Sequence, residues 1–387
     1  MVHLRASKIR HRQKIKLILF SILPALLLLL TAEVVLRATR LVKPSLFTLT
    51  FILEDEGVLV PDRELFWSLR PNLDQYSDDV QARVKTNSLG LRTSEIKPKR
   101  PQEFRILSLG ESTTFGGRVS NEGTYSALLE KLLNEYDNTR SYRVINAGVS
   151  AYSSFQSLKY LELRGLKLKP DLVLFYHELN DYLPSTLRGS NNTEIGILKT
   201  DRQLYESRMS GTSRLFMEHS ALYAFLSLGY TRLKVNAFNR KDFDNPLLEI
   251  GLPDIAIRPR LISVQDGKVT PSTLNEQSLG RRVSEKERRE NLENLLALCQ
   301  ANGVELVIIH PAYAVSSKHE CTLTNFCRQY QVPMFEAYDV LHPPNAPDNH
   351  LFYDRFHPTA EGHYLLAKGL ADFLIQKMDF EQTVVVQ

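Results

Sequence analysis

The sequence predicts an α/β fold: a three-layer α/β/α sandwich with a central parallel sheet, preceded by one N-terminal transmembrane helix. Three observations predict it. Short, almost wholly apolar runs at 105–109, 142–147, 171–176 and 304–309 read as strands buried on both faces, the signature of a covered parallel sheet. Segments with helical spacing of apolar residues separate them, which gives the alternation of a layered α/β domain. The first forty residues hold a basic stretch followed by an apolar run long enough to cross a bilayer.

The charge is unevenly spread. Across 387 residues, 48 Lys and Arg stand against 44 Asp and Glu, a net +4. The first forty residues carry eight basic side chains against Glu33 alone, or +7, which leaves 40 basic and 43 acidic residues, or −3, in the body. A slightly acidic body lacks the concentrated basic surface that phosphate backbones require, so nucleic acid is not an expected partner.

In chain order, residues 1–16 form a basic segment and 17–37 the anchor, with Leu17 to Leu36 apolar apart from Glu33. Glu33 and Arg37 stand four apart and can pair on a helix. The excess of Lys and Arg before the span places the N-terminus in the cytoplasm and the body on the far side, periplasmic in a bacterium. A cleaved signal peptide competes with this reading, but the apolar stretch is long and no small-x-small site follows Leu30. Residues 38–103, with Pro44, Pro61, Pro71 and Pro98, read as a stalk or linker packing on the domain, with an extended piece near 81–85. The domain itself spans 104–378, followed by a tail at 379–387. Its helices are expected at 124–136, 154–164, 284–302 and 359–378, and a further short strand at 333–338. The α/β rhythm breaks between about 184 and 282, an insertion with a sequon-like Asn191-Asn192-Thr193 and one apolar helix candidate, 213–233.

In an open parallel sheet, functional groups gather at the carboxyl ends of the strands. The first strand runs into Gly110-Glu111-Ser112-Thr113-Thr114-Phe115-Gly116, which presents a serine at the start of a helix. The second ends at Asn146-Ala147-Gly148, where the missing side chain lets a backbone N–H approach a substrate. The third ends at Glu178-Leu179-Asn180-Asp181, and Asn180 offers a side-chain amide. Near the C-terminus, Asp354-Arg355-Phe356-His357-Pro358 spaces an acid and an imidazole three residues apart, close enough to meet in a turn.

This ordered set resembles the SGNH (GDSL-type) hydrolase superfamily over roughly residues 104–182 and 285–376. Asn87 to Arg92 is similar to a motif of its membrane-anchored bacterial members. The resemblance implies a flavodoxin-like sheet and an ester-cleaving Ser-His-Asp triad of Ser112, His357 and Asp354. It also implies an oxyanion hole from the N–H groups of Ser112 and Gly148 and the Asn180 amide. No metal and no cofactor is implied. Two positions depart from the pattern: Glu111 replaces the Asp usual before the nucleophile, and Glu178 the Gly usual two residues before the Asn. The expected reaction is hydrolysis of an acetyl or acyl ester of an extracytoplasmic carbohydrate or lipid. Two alternatives share the fold: an O-acyltransferase acting on a cell-envelope polysaccharide, and a non-catalytic membrane-anchored binding protein. Oligomeric state is not readable.

Blander readings stand beside each residue. Ser112 can be simply a helix N-cap, and Gly148 and Asn180 turn residues. His177, His310, His342 and His363 read as packing or surface groups. His350, Asp354 and His357 fit no strong metal-ligand spacing, and neither do the three cysteines. Cys321 and Cys327, five residues apart, are either a small disulfide or two separate thiols.

Overall fold

The computed structural model describes residues 2–39, 57–182 except 63, 79 and 138, short pieces between 186 and 271, and 282–385 except 315–319 and 345–349. Two compact units form, one from residues 1–48 and 206–241, the other from 49–205 and 242–387.

The first unit contains helix α1 (Val2–Thr39). Its window Ile22–Thr39 has a mean hydropathy of 1.9, and among the described residues it is the one helix long and apolar enough to cross a membrane. Leu23, Leu26, Leu27, Leu28 and Leu30 are exposed on it. Glu33 and Arg37 pair as their spacing suggests, at 2.6 Å. Glu33 does more than that: it accepts hydrogen bonds from the N–H groups of Ala221 (2.9 Å) and Leu222 (2.8 Å) and from Ser220 Oγ (2.9 Å). Of the helix expected at 213–233, residues 216, 219, 221–223, 225 and 226 are helical, residue 220 is described but not helical, and the rest lies outside the described residues. The Asn191-Asn192-Thr193 tripeptide lies outside them too.

The second unit opens with two antiparallel hairpins, β1 (Leu59–Asp62) with β2 (Phe66–Leu69) and β3 (Asp74–Ser77) with β4 (Ala82–Lys85). Hydrogen bonds tie the first hairpin to residues 150–156. The Trp67 indole donates to Ser150 O (3.0 Å), the Tyr152 hydroxyl to Trp67 O (2.7 Å), and the Gln156 amide to Leu65 O (2.7 Å).

The layered core consists of β5 (Glu103–Gly110), α2 (Ser112–Phe115), α3 (Tyr125–Tyr136), β6 (Ser141–Gly148), α4 (Ser154–Leu163), β7 (Leu172–Tyr176) and α5 (Leu179–Tyr182). Small hairpins β8 (Thr186–Arg188) with β9 (Glu194–Gly196) and β10 (Ile262–Gln265) with β11 (Lys268–Pro271), and helix α6 (Asp201–Met209), fall in the insertion. The core resumes with α7 (Glu285–Ala301), β12 (Glu305–His310), α8 (Thr322–Tyr330), β13 (Met334–Glu336), α9 (Tyr338–Leu341) and α10 (Ala360–Val385). The five core strands are all parallel, in the order β13-β12-β7-β5-β6. The fold class is therefore the expected one, a doubly wound sheet of flavodoxin-like order.

Alternation along the strands explains the two covered faces. Ile106, Val144, Leu174 and Val307 pack with Leu129 and Leu133 of α3 and Leu366, Leu370 and Leu374 of α10. Their neighbours Leu107, Ile145, Val173 and Ile308 are equally buried on the opposite face, where α4, α7 and α8 lie. Burying each such side chain contributes about 1.5–3 kcal/mol. The helix starts obey local chemistry: the Thr124 hydroxyl caps α3, while Ser153 and Ser284 form reciprocal capping boxes with Gln156 and Glu287. The strand expected at 333–338 is shorter, because the chain turns into α9 after Glu336. The last helix runs on to Val385, since residues 379–385 contain neither Gly nor Pro to stop it.

Candidate active site

Strand β5 is where the chain order reverses: β6 lies on one side of it and β7 on the other. Ligands of doubly wound sheets bind in the crevice at that point, beyond the carboxyl ends. Ser112 sits there as the first residue of α2. The N-cap is Glu111, with no side-chain capping bond, so the reading of Ser112 as a mere cap does not hold.

The Ser112 hydroxyl lies 2.9 Å from His357 Nε2 across 245 residues of sequence. His357 Nδ1 lies 2.7 Å from Asp354 Oδ2 and 3.0 Å from Oδ1. A carboxylate can only accept here, so Nδ1 carries the proton and Nε2 is left to accept from Ser112. Asp354 Oδ1 also accepts from the backbone N–H groups of Phe356 (2.8 Å) and His357 (2.9 Å). Burial alone would raise the Asp354 carboxyl, but the hydrogen bond and charge of His357 and these two N–H groups hold it well below the usual carboxylate range. The turn is closed by Tyr353 N–H on His357 O (2.8 Å) and by the bridge between Phe352 and Pro358.

The expected oxyanion donors are placed differently from one another. Asn180 lies on α5, directly after β7, with its N–H on Glu111 Oε2 (3.2 Å) and one amide hydrogen on Tyr152 O (3.1 Å). Its second amide hydrogen remains for a ligand, since a primary amide carries two. At Gly148 the reason for glycine is space: a Cβ there would sit 2.3 Å from Phe115 N and 2.5 Å from Thr114 C. Its N–H, however, donates to Asn146 Oδ1 at 3.0 Å, while the Asn146 amide donates to Thr114 O at 2.8 Å. Gly148 thus lets α2 close onto β6, and its N–H is engaged by Asn146 rather than held open for an anion.

Two arginines hold this region: Arg92 closes the Asn87–Arg92 motif noted in the sequence, while Arg288 did not stand out there. Arg92, buried, donates to the carbonyls of Phe115, Gly116 and Val119 just after α2, and lies 4.7 Å over the Phe115 ring. Asn87 shapes the loop that delivers it, accepting from Leu89 and Leu91 N–H at 2.9 Å each. Arg288 of α7 is equally buried: it donates to Glu178 O (2.7 Å), pairs with Asp181 (3.3 Å) and stacks 3.8 Å over Tyr182. Three of the four histidines set aside as packing groups behave so. His177 bonds Ser157 and His363 accepts from Tyr125 N–H, both pushed down to about 3, chiefly by burial, and His342 bonds Tyr313 O.

Glu111 is buried beside Glu178 and Asp181. Burial and then the Asp181 charge push its carboxyl up to about 8, against the pull of the Asn180 N–H. In the unfolded chain it ionises near 4.5. Between those values the folded chain holds a proton that the unfolded chain has lost, so this group makes stability fall as pH rises. Glu111→Gln keeps an acceptor for Asn180 N–H and has no proton to lose. Its melting temperature should gain on wild type steadily from about pH 5 to about pH 8; parallel curves would assign the pH dependence elsewhere.

Comparison with known proteins is uneven. No family model matches the chain, and no curated protein matches it. Solved structures do: a G-D-S-L family protein from Desulfitobacterium hafniense DCB-2 is similar at 12% identity over 69% of this chain and 98% of its own, with a TM-score of 0.36. An acetylxylan esterase from Geobacillus stearothermophilus is similar at 15% identity over 69% and 92% of the two chains, TM-score 0.38. A two-domain esterase active on acetylated mannans is similar at 13% identity over 71% of this chain and 49% of its own, TM-score 0.40. Likeness this slight carries no activity across, and any function must rest on the chain's own residues.

Proposed function

We propose that the chain is a membrane-anchored serine esterase with Ser112 as nucleophile, acting on acetyl or acyl esters of an extracytoplasmic carbohydrate or lipid. The observation that carries this is the continuous hydrogen-bonded path Ser112–His357–Asp354, at 2.9 and 2.7 Å, at the switch point of the sheet. A nucleophile, a base within reach and a group that orients the base are what covalent ester cleavage requires. Ser112 Oγ bonds to the carbonyl carbon as its proton passes to His357 Nε2. The tetrahedral oxyanion takes hydrogen bonds from the Ser112 N–H and the second hydrogen of the Asn180 amide. His357 then gives the proton to the leaving alcohol, and water repeats the sequence to free the acid. The side chains of His357 and Asp354 are 22% and 34% exposed, so water can reach the base, as hydrolysis requires. The apolar window Ile22–Thr39, with basic residues before it, supports an anchor that leaves this site outside the cytoplasm.

The test is covalent labelling of the purified full chain with a serine-directed phosphonate, with an aryl acetate assay alongside. Absence of both labelling and turnover removes the esterase reading, and acetyl transfer to an added sugar in preference to water replaces it with a transferase. Asn180→Ala should lower kcat by about 10²–10³ with a modest change in KM, the cost of one preorganised oxyanion donor. Unchanged kcat would take Asn180 out of the site.

A further inference from the structure

A second cluster of reactive side chains lies outside the triad, and the proposed hydrolysis uses none of it. Glu178 comes just after β7, His310 ends β12, and Cys321 is the N-cap residue of α8. All three are buried, at 3%, 1% and 7% exposure. Each offers one donor atom, and these atoms lie within 4.8 Å of one another. Cys321 and Cys327 are separate thiols here rather than a disulfide.

We propose that Glu178, His310 and Cys321 form a binding site for a transition-metal dication of the zinc type. The geometry supports this in two independent ways. Cys321 Sγ and His310 Nε2 are 3.6 Å apart. A tetrahedral ion with a bond of about 2.3 Å to sulfur and about 2.0–2.1 Å to nitrogen sets its ligand atoms about 3.6 Å apart. On the far side of the ring, His310 Nδ1 lies 2.9 Å from Glu336 Oε2. That carboxylate accepts from Nδ1 and fixes the ring with Nε2 toward Cys321 and Glu178, the outer arrangement that metal-bound histidines have. Thiolate, imidazole and carboxylate together form a donor set suited to zinc. Binding releases the protons that His310 Nε2 and the Cys321 sulfur carry in the absence of an ion, and the thiolate and carboxylate charges balance the dication.

Three ligands leave a fourth tetrahedral position, and burial keeps bulk water from it. The ion would tie together the end of β7, the end of β12, the start of α8 and, through Glu336, strand β13. Glu178 stands two residues before Asn180, which gives the departure from the family pattern at that position a purpose of its own. Sequence spacing could not reveal this site, because Glu178 and His310 are far apart in the chain and the ligands meet only across adjacent strands.

The test uses the full chain in detergent, stripped with a chelator and titrated with Co²⁺, then with Zn²⁺ as competitor. One equivalent of Co²⁺ should give the visible bands of a tetrahedral ion and a near-ultraviolet thiolate charge-transfer band, both erased by Zn²⁺. Cys321→Ser should lose the charge-transfer band, while Cys327→Ser keeps it. Glu336→Gln, which leaves all three ligands in place, should weaken binding roughly 10–100-fold. Ser112→Ala should bind as wild type does, which separates this site from the esterase reading. No band at one equivalent in wild type, or a band that survives Cys321→Ser, overturns the proposal and leaves a hydrogen-bonded Cys–His–Glu chain. Should Cys321→Ser fail to fold, the wild-type titration and Glu336→Gln decide alone.

Discussion

Ser112→Ala should lose on the order of 10⁶ in kcat on an aryl acetate, and with it all labelling by a serine-directed phosphonate. The loss is this large because the substitution removes the only atom that forms a covalent bond, and His357 then has no hydroxyl to deprotonate. Adding His357→Ala to it should cost little more, since residues that act as one unit do not contribute additively. The fold should be unaffected, as Ser112 makes no capping bond and its backbone stays in α2. Labelling that persists in Ser112→Ala would place the nucleophile elsewhere, and a multiplicative double variant would break the link to His357.

Asp354→Asn should lower kcat by about 10⁴ and lower the melting temperature modestly near neutral pH, since a carboxyl held below its ordinary range stabilises the fold there. The reason lies in which oxygen does what. Oδ1 accepts from the Phe356 and His357 N–H groups, and an amide oxygen can keep both bonds. Oδ2 faces His357 Nδ1 at 2.7 Å, and an amide nitrogen placed there donates where it should accept. The imidazole answers by moving its proton to Nε2, which then points a hydrogen at Ser112 instead of a lone pair. Full activity in this variant would show that Asp354 orients nothing. A collapsed melting temperature would show instead that the turn, not the tautomer, depends on the charge.

How much of the molecule was legible in the sequence depends on how local each cause is. The run 171–176 is apolar at every position after Asp171, and β7 forms there between β5 and β12, buried throughout. Thr124, Ser153 and Ser284 announce helix starts because their hydroxyls act on N–H groups three residues away. Ser112, Asp354 and His357 were readable as candidates because strand ends and a three-residue turn are short-range features. Arg288 was not: in Glu285-Lys286-Glu287-Arg288-Arg289-Glu290 it looks like one more charge on a solvated helix face. Its burial depends on Asp181 and Tyr182, which lie far earlier in the chain. The engagement of the Gly148 N–H by Asn146 is local but depends on a side-chain rotamer, which residue order alone does not fix. The His310 cluster depends on strand order, which places β12 beside β7.

Glu33 carries a consequence for anyone reading apolar helices by composition. Every transfer scale counts a carboxylate on such a helix as a defect to be replaced by leucine. Here that carboxylate receives the Ala221 and Leu222 N–H groups and the Ser220 hydroxyl. Were this helix to sit in a bilayer as proposed, N–H groups orphaned in hydrocarbon would cost several kcal/mol each, because no water replaces the lost acceptor. Greasing position 33 would make α1 a better solute for lipid and a worse companion for its neighbour, so solubility in the bilayer and cohesion of the unit pull in opposite directions at this one residue.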